Sequence, residues 1–233
     1  MRWPSGSYRI ATSDYDVSRR TFVSGPYGLE RLLRACELVE RETSSAVRAR
    51  DVLEIGANIG TTTVPLISVI GAGHVHAFEP VARNFAMLEE NIALNGLGAL
   101  VTAHPAAVSD HVGSVQLAVS ERFWGSSRVT DASGGDAVAR CVTIDSLIDD
   151  ATIERSRLAL VWIDVEGHEA AVLAGATRLG GIPLVVEYLP ALHADLDRFR
   201  DLLGARGGRV FDLARGEQVE IDGLKGPTDL LLI

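Results

Sequence analysis

Apolar positions recur at helical spacing from Leu29, with Leu32, Leu33, Cys36 and Val39 on one face, and predict a helix there. Residues 1–25 mix Ser, Arg, Gly and Tyr without a period and read as an irregular lead-in. Beyond the helix, strand and helix signals alternate. Asp51–Ile55 reads as a short buried strand and Gly60–Ile70 as a helix. Pro65 lacks an amide proton, so that helix starts at Thr62 or Thr63, or bends there. His74–Phe78 is the second strand. Val81–Leu94 is the next helix, with Phe85, Leu88 and Ile92 inward and Gly96 past its end. Leu100–Ala103 follows as a strand.

The second half keeps this rhythm. Leu158–Ile163 has no polar interruption, as expected where helices cover both faces of a sheet. His168–Ala176 reads as a helix, Pro183–Val186 as a strand, and Ala191–Leu203 as a helix introduced by Pro190. Gly208–Leu213 and Asp229–Ile233 are the last strands. The pattern is that of an α/β fold with a doubly wound, mainly parallel seven-stranded sheet. One segment breaks it. Val115–Val119 and Val138–Val142 are strand-like and flank a Ser-, Gly- and Asp-rich stretch, Ser120–Ala137, which predicts an inserted β-hairpin with a long loop. A loop of that length is uncommon unless functional or disordered.

Length and composition change this picture little. The 233 residues suit one domain, 1–233, with residues 1–45 as lead-in and helix and 46–233 as the Rossmann-like core. No apolar run reaches the roughly 18 residues that span a bilayer, and no signal-peptide pattern opens the chain, so a cytoplasmic protein is expected. Cys36 and Cys141 form no metal or disulfide spacing, and Cys36 reads as a buried thiol. A net charge of −9 disfavours a nucleic-acid partner, which needs a basic surface.

In a doubly wound sheet, ligands bind outside the carboxyl ends of the strands. There the sequence collects Glu54, Glu79, Asp164, Glu166 and Glu187. The first turn, Glu54-Ile55-Gly56-Ala57-Asn58-Ile59-Gly60, has glycines that let backbone approach a ligand closely. Glu79 ends the next strand, where its carboxylate can accept both hydroxyls of a ribose. Two nucleotide classes use this arrangement, nicotinamide dinucleotides and S-adenosylmethionine (SAM). A dinucleotide requires glycine where this chain has Asn58, and its pyrophosphate would sit among carboxylates. SAM carries a positive sulfonium and an ammonium, and an acidic crevice favours both. The sign of the site selects SAM. A nicotinamide-dependent oxidoreductase and a non-catalytic scaffold remain the alternatives.

The motif set Glu54-x-Gly56-Ala57-Asn58-Ile59-Gly60, Phe78-Glu79-Pro80 with Asn84, and Ile163-Asp164-Val165-Glu166-Gly167-His168-Glu169 resembles the FkbM-type methyltransferases. So do Ala106-Ala107-Val108-Ser109-Asp110 with Gly113, and Thr143-Ile144-Asp145-Ser146-Leu147. The resemblance runs from about Tyr27 onward. It implies a class I methyltransferase fold, SAM as cofactor, and O-methylation of a sugar, polyketide or similar small hydroxylated natural product. It also implies that Glu54, Gly56, Asn58 and Gly60 surround the methionine moiety, that Glu79 binds ribose, and that Ala107 lies by adenine. Asp164 and Glu166 match the acids nearest the transferred methyl. The family usually has Lys where this chain has Trp162, which removes a cation from beside Asp164.

An aliphatic hydroxyl acceptor needs a base as its oxygen attacks. His168 is the candidate from its place just after a strand, unless it merely sits at a helix N-terminus. Glu187 is the second candidate, and Glu169 reads as a helix-start acid. Asp164, Glu166 and Glu187 offer hard oxygen ligands but no recognisable metal spacing, so no metal is assigned. Phe123 and Trp124 either form a lid over the acceptor or pack on the core. The other histidines show no ligand or triad pattern.

Overall fold

The computed structural model describes residues 1–130 and 135–233. The chain opens with a small antiparallel pair, β1 (Arg2–Trp3) and β2 (Gly6–Ser7), then helices α1 (Val17–Ser24) and α2 (Leu29–Thr43). The lead-in is therefore not irregular; its strands are too short, and α1 too mixed in polarity, to announce themselves by period. On α2 the buried positions are Leu32, Ala35, Leu38 and Val39, while Leu33 is exposed and Cys36 half-buried. The predicted helix face was thus rotated. Alanine carries the seam where the larger Leu33 had been assigned.

The core elements follow. They are β3 (Asp51–Ile55), α3 (Thr63–Pro65) running into a π-helical turn (Leu66–Ile70), β4 (His74–Phe78), α4 (Ala82–Leu94) and β5 (Val101–His104). Thr62 caps α3, so Pro65 falls in its first turn, where its missing N–H costs nothing. The helix read as Gly60–Ile70 starts late for that reason. Next come β6 (Ala107–Val108), β7 (Gly113–Ala118), β8 (Arg128–Thr130) and β9 (Ala137–Val142). The rest is α5 (Ile144–Asp149), β10 (Leu158–Ile163), α6 (Glu169–Ala174), β11 (Leu184–Tyr188), α7 (Leu196–Ala205), β12 (Val210–Asp212), β13 (Glu217–Gln218) and β14 (Thr228–Leu232). Thr143 and Ser146 close a capping box on α5, each side chain bonded to the other's backbone N–H. Pro190 opens a separate 3₁₀ turn (Pro190–Leu192), so α7 begins later than its apolar pattern suggested.

The central sheet has the order β13-β12-β14-β11-β10-β3-β4-β5. Strands β5, β4, β3, β10 and β11 run parallel, and β14 inserts antiparallel between β11 and β12. All seven strands read from the sequence are present; the two-residue β13 extends the edge. Strand alternation divides the core. Val52, Val75, Leu160 and Trp162 face one helix layer, with α2, the π turn and α4. Leu53, Phe78, Val161 and Ile163 face the other, with α5, α6 and α7. Each such side chain contributes about 1.5–3 kcal/mol by leaving water.

The predicted hairpin exists as β7 against β9, Val115 opposite Ala139, but it belongs to a second, four-stranded sheet ordered β6-β9-β7-β8. Strands β6 and β8 were missed because two or three residues carry no readable alternation. Residues 131–134 of the predicted loop lie outside the described residues. Among the described residues, no helix is long and apolar enough to cross a membrane.

Candidate functional site

The parallel register aligns Ile55 with Phe78 on one side and Ile163 on the other, and Ile163 with Val186. The residues that follow, Gly56, Glu79, Asp164 and Glu187, therefore meet at one rim. A cavity of about 270 Å³ opens there, near the lower bound of the roughly 300–1,000 Å³ usual for small-molecule sites. Gly56, Asn58, Glu79, Ala107, Asp164, Glu166, His168 and Glu187 line it, as the sequence anticipated.

At the first turn, Gly56 has φ +88° and a Cβ there would overlap the carbonyl oxygen of Asp164. Only glycine lets β3 and β10 deliver their ends this close together. Asn58 is also left-handed, at φ +50°, which turns its N–H onto Glu79 Oε2 at 2.9 Å. Glu79 Oε1 accepts the N–H of Val81 at 2.9 Å. Glu79 is buried, and burial pushes its carboxyl up to about 7 despite these bonds. The Asn84 amide also approaches Oε1, at 3.5 Å, so the spare lone pair for a ligand is on Oε2.

Two anticipated residues sit outside the cavity lining. Glu54 alternates onto the α2 face of β3, fully buried, where it accepts the Thr63 hydroxyl at 2.7 Å. Desolvation raises its carboxyl to about 8. Gly60 serves packing instead: a Cβ there would press on Leu88 of α4 at 2.9 Å.

The far end of the cavity is acidic. One carboxylate oxygen each from Asp164, Glu166 and Glu187 lies within 4.8 Å of the others. Burial raises all three, Glu187 most, and Asp164 further repels Glu166 and Glu187. Asp164 is itself partly relieved by Arg31 and a hydrogen bond with Glu187, and repelled by Asp229 and Glu169. Such oxygens suit a hard divalent cation, although the protons that raised carboxyls retain compete with it. Glu166 stands at φ +53° and is followed by Gly167 at φ +98°. Glu169 holds this reversed loop, accepting the N–H groups of Val165 at 3.1 Å and Gly167 at 3.0 Å. It is more than a helix-start acid. His193 Nε2 lies 3.2 Å from Glu169 in the same buried spot, at an angle outside hydrogen bonding.

Several lining residues escaped the sequence reading. Arg31 of α2 binds Asp229 of β14 at 2.6 Å and supplies the cation beside Asp164 that Trp162 cannot. Tyr27 lies under the guanidinium groups of Arg20 and Arg31, 4.8 and 4.9 Å from its ring centroid. No spacing marks a pair 198 positions apart. Trp124 lines the cavity and is buried against Val17 and Ile59, under Arg83 at 4.6 Å. Its carbonyl faces the amides of Asn58 and Asn84 at 3.4 Å. Phe123 is exposed and outside the lining, whereas Trp124 both lines the cavity and packs on the core. Buried Asp14 fastens the two covering segments, accepting the N–H groups of Asp16 (3.0 Å), Ser18 (2.7 Å) and Trp124 (3.1 Å).

A family model described as the methyltransferase FkbM domain matches residues 54–208. The chain belongs to the FkbM methyltransferase family. It is a SAM-dependent methyltransferase, and the nicotinamide alternative gives way to that finding. No curated protein matches it. Among solved structures, precorrin-6y C5,15-methyltransferase from Geobacter metallireducens is similar at TM-score 0.52 and 10% identity, covering 99% of this chain and 97% of that one. That likeness establishes the class I methyltransferase fold. An O-methyltransferase from Bacillus cereus in complex with SAH is similar at TM-score 0.46 and 14% identity, over 93% of this chain and 96% of that one. The cleft of this methyltransferase suits SAM chemically. It combines a buried carboxylate, a side-chain-free turn at Gly56 and an acidic rim that favours a cation and repels a pyrophosphate.

Proposed function

We propose that this methyltransferase transfers the methyl group of SAM to a hydroxyl oxygen of a small, hydroxylated acceptor such as a sugar or natural product. The supporting observation is that one cleft is lined by His168, by the clustered acids Asp164, Glu166 and Glu187, and by Glu79. Gly56 and Asn58 would hold the methionine portion of SAM, Glu79 the ribose and Ala107 the adenine. When bound, SAM supplies an electrophilic methyl group. The protein's task is then to seat the acceptor oxygen in line and to remove its proton.

His168 takes that proton in this reading, and Glu187 stands second. The burial and repulsion that raise Glu166 and Glu187 make them weak acids suited to bonding a polyol. Arg31 and its partner Asp229 fix the charge around Asp164. The cleft's size and the net charge of −9 favour a small acceptor over a nucleic acid.

The test is transfer of label from methyl-tritiated SAM to a panel of glycosides and hydroxylated metabolites, followed by mass spectrometry of the product. Methyl ethers formed by the wild type, and slowed at least about 100-fold in H168Q, support the reading. SAH binding without turnover on any acceptor would leave the scaffold alternative. N- or C-methyl products would replace the hydroxyl assignment.

A further inference from the structure

Ser109 follows β6, is fully buried and donates its backbone N–H to Val142 of β9 at 2.8 Å. From the other side, Gly175 packs so tightly on it that a Cβ there would overlap the Ser109 carbonyl oxygen. The backbone of Ser109 is therefore held from two directions. Its Oγ lies 2.9 Å from His168 Nε2 and 3.2 Å from Asp110 Oδ1. Asp110 in turn accepts from His111 Nδ1 at 2.9 Å. The burial of Ser109 removes it as a nucleophile.

A hydroxyl has one proton to donate. The hydrogen bond from His111 holds the Asp110 carboxyl below the usual carboxylate range, so Asp110 is ionised at neutral pH. A carboxylate is a stronger acceptor than a neutral imidazole nitrogen. The Ser109 proton therefore goes to Asp110, and the Ser109 lone pair faces Nε2, which must carry a hydrogen.

We propose that Ser109 and Asp110 are positioning residues that hold His168 as the Nε2–H tautomer, so that Nδ1 is its basic nitrogen. This rests on reading His168 as the base, and it specifies which ring atom receives the acceptor proton. On protonation at Nδ1, the imidazolium keeps its Nε2–H on Ser109, and Asp110 lies one hydroxyl away to stabilise the new charge. The second sheet then has a role in the chemistry, since β6 and β9 set the position of Ser109.

The test is an NMR titration of ¹⁵N-histidine-labelled full-length protein, with the His168 signal assigned by H168Q. Wild type is compared with S109A and D110N, and calorimetric SAH binding confirms folding. Asp164, Glu166 and Glu187 share the cleft with His168 and are the same in all three proteins, so differences isolate the pair. The His168 midpoint should fall by about one pH unit in S109A, because a bond to the charged ring is lost. It should also fall in D110N, whose site is half exposed and tolerant should S109A fail to fold. A rise in S109A would mean that Ser109 donates to a neutral Nε2, and would overturn the proposal. An unchanged midpoint in both variants would overturn it as well. This readout needs no acceptor, so it fails or succeeds separately from methyl transfer by His168.

Discussion

Glu79 gives a prediction whose size follows from its surroundings. Its carboxyl is buried, raised to about 7, and bonded to two loop N–H groups. Only the ionised form is purely an acceptor toward the hydroxyls of a ribose. If that form alone binds, the apparent Kd scales as 1 + 10^(7 − pH), about 1.1 at pH 8 and about 11 at pH 6. SAH affinity should therefore weaken about tenfold between those pH values, or about 1.4 kcal/mol. In E79Q the slope should shrink to the part contributed by Asp164 and Glu166, which titrate in the same window. Affinity at pH 8 should also drop roughly 10- to 100-fold, because one acceptor oxygen becomes an amide that points donors at donors. Isothermal calorimetry with SAH reads both. A flat wild-type profile, or an E79Q protein that keeps the wild-type slope, would refute the assignment of Glu79 to the ligand.

Three further outcomes follow from the site. Gly56→Ala puts a Cβ onto a backbone carbonyl at φ +88°. It should cost about 2–4 kcal/mol, lower Tm by about 5–15 °C and abolish SAH binding; an unchanged melting curve would contradict the close approach. Glu54 is raised to about 8, above the usual carboxylate value, so its share of stability is present at low pH and lost as pH rises from about 4.5 to 8. E54Q should flatten that part of the Tm–pH curve and leave SAH affinity intact, and a loss of affinity would return Glu54 to the cleft. Since burial raises these carboxyls, Glu187 above all, protons compete with a cation and transfer should survive EDTA; activity lost to EDTA and restored by Mg²⁺ would make the three acids a metal site.

The fold was legible where residues answer to one dominant force. The strands β3, β4 and β10 sit between two helix layers, and their apolar runs declare it. The cleft acids were legible because a strand end fixes where the next residue goes, as with Glu79 and Asp164. Glu54 misled for the same reason: it stands one position short of the rim, and alternation sends it under Thr63 instead. Arg31 and Asp229 were invisible because α2 and β14 meet only in three dimensions. Ser109 was quoted within a motif, yet its contact with His168 depends on how the second sheet seats it against α6.

Asp14 has a consequence beyond the local turn it closes. A single carboxylate ties the amides of Ser18 and Trp124, so the two walls that roof the crevice share one latch. Neither wall can swing out to admit or discharge a molecule without breaking the same bonds. Their amide hydrogens should exchange in step, and Asp14→Ala should uncouple them while quickening passage on both sides.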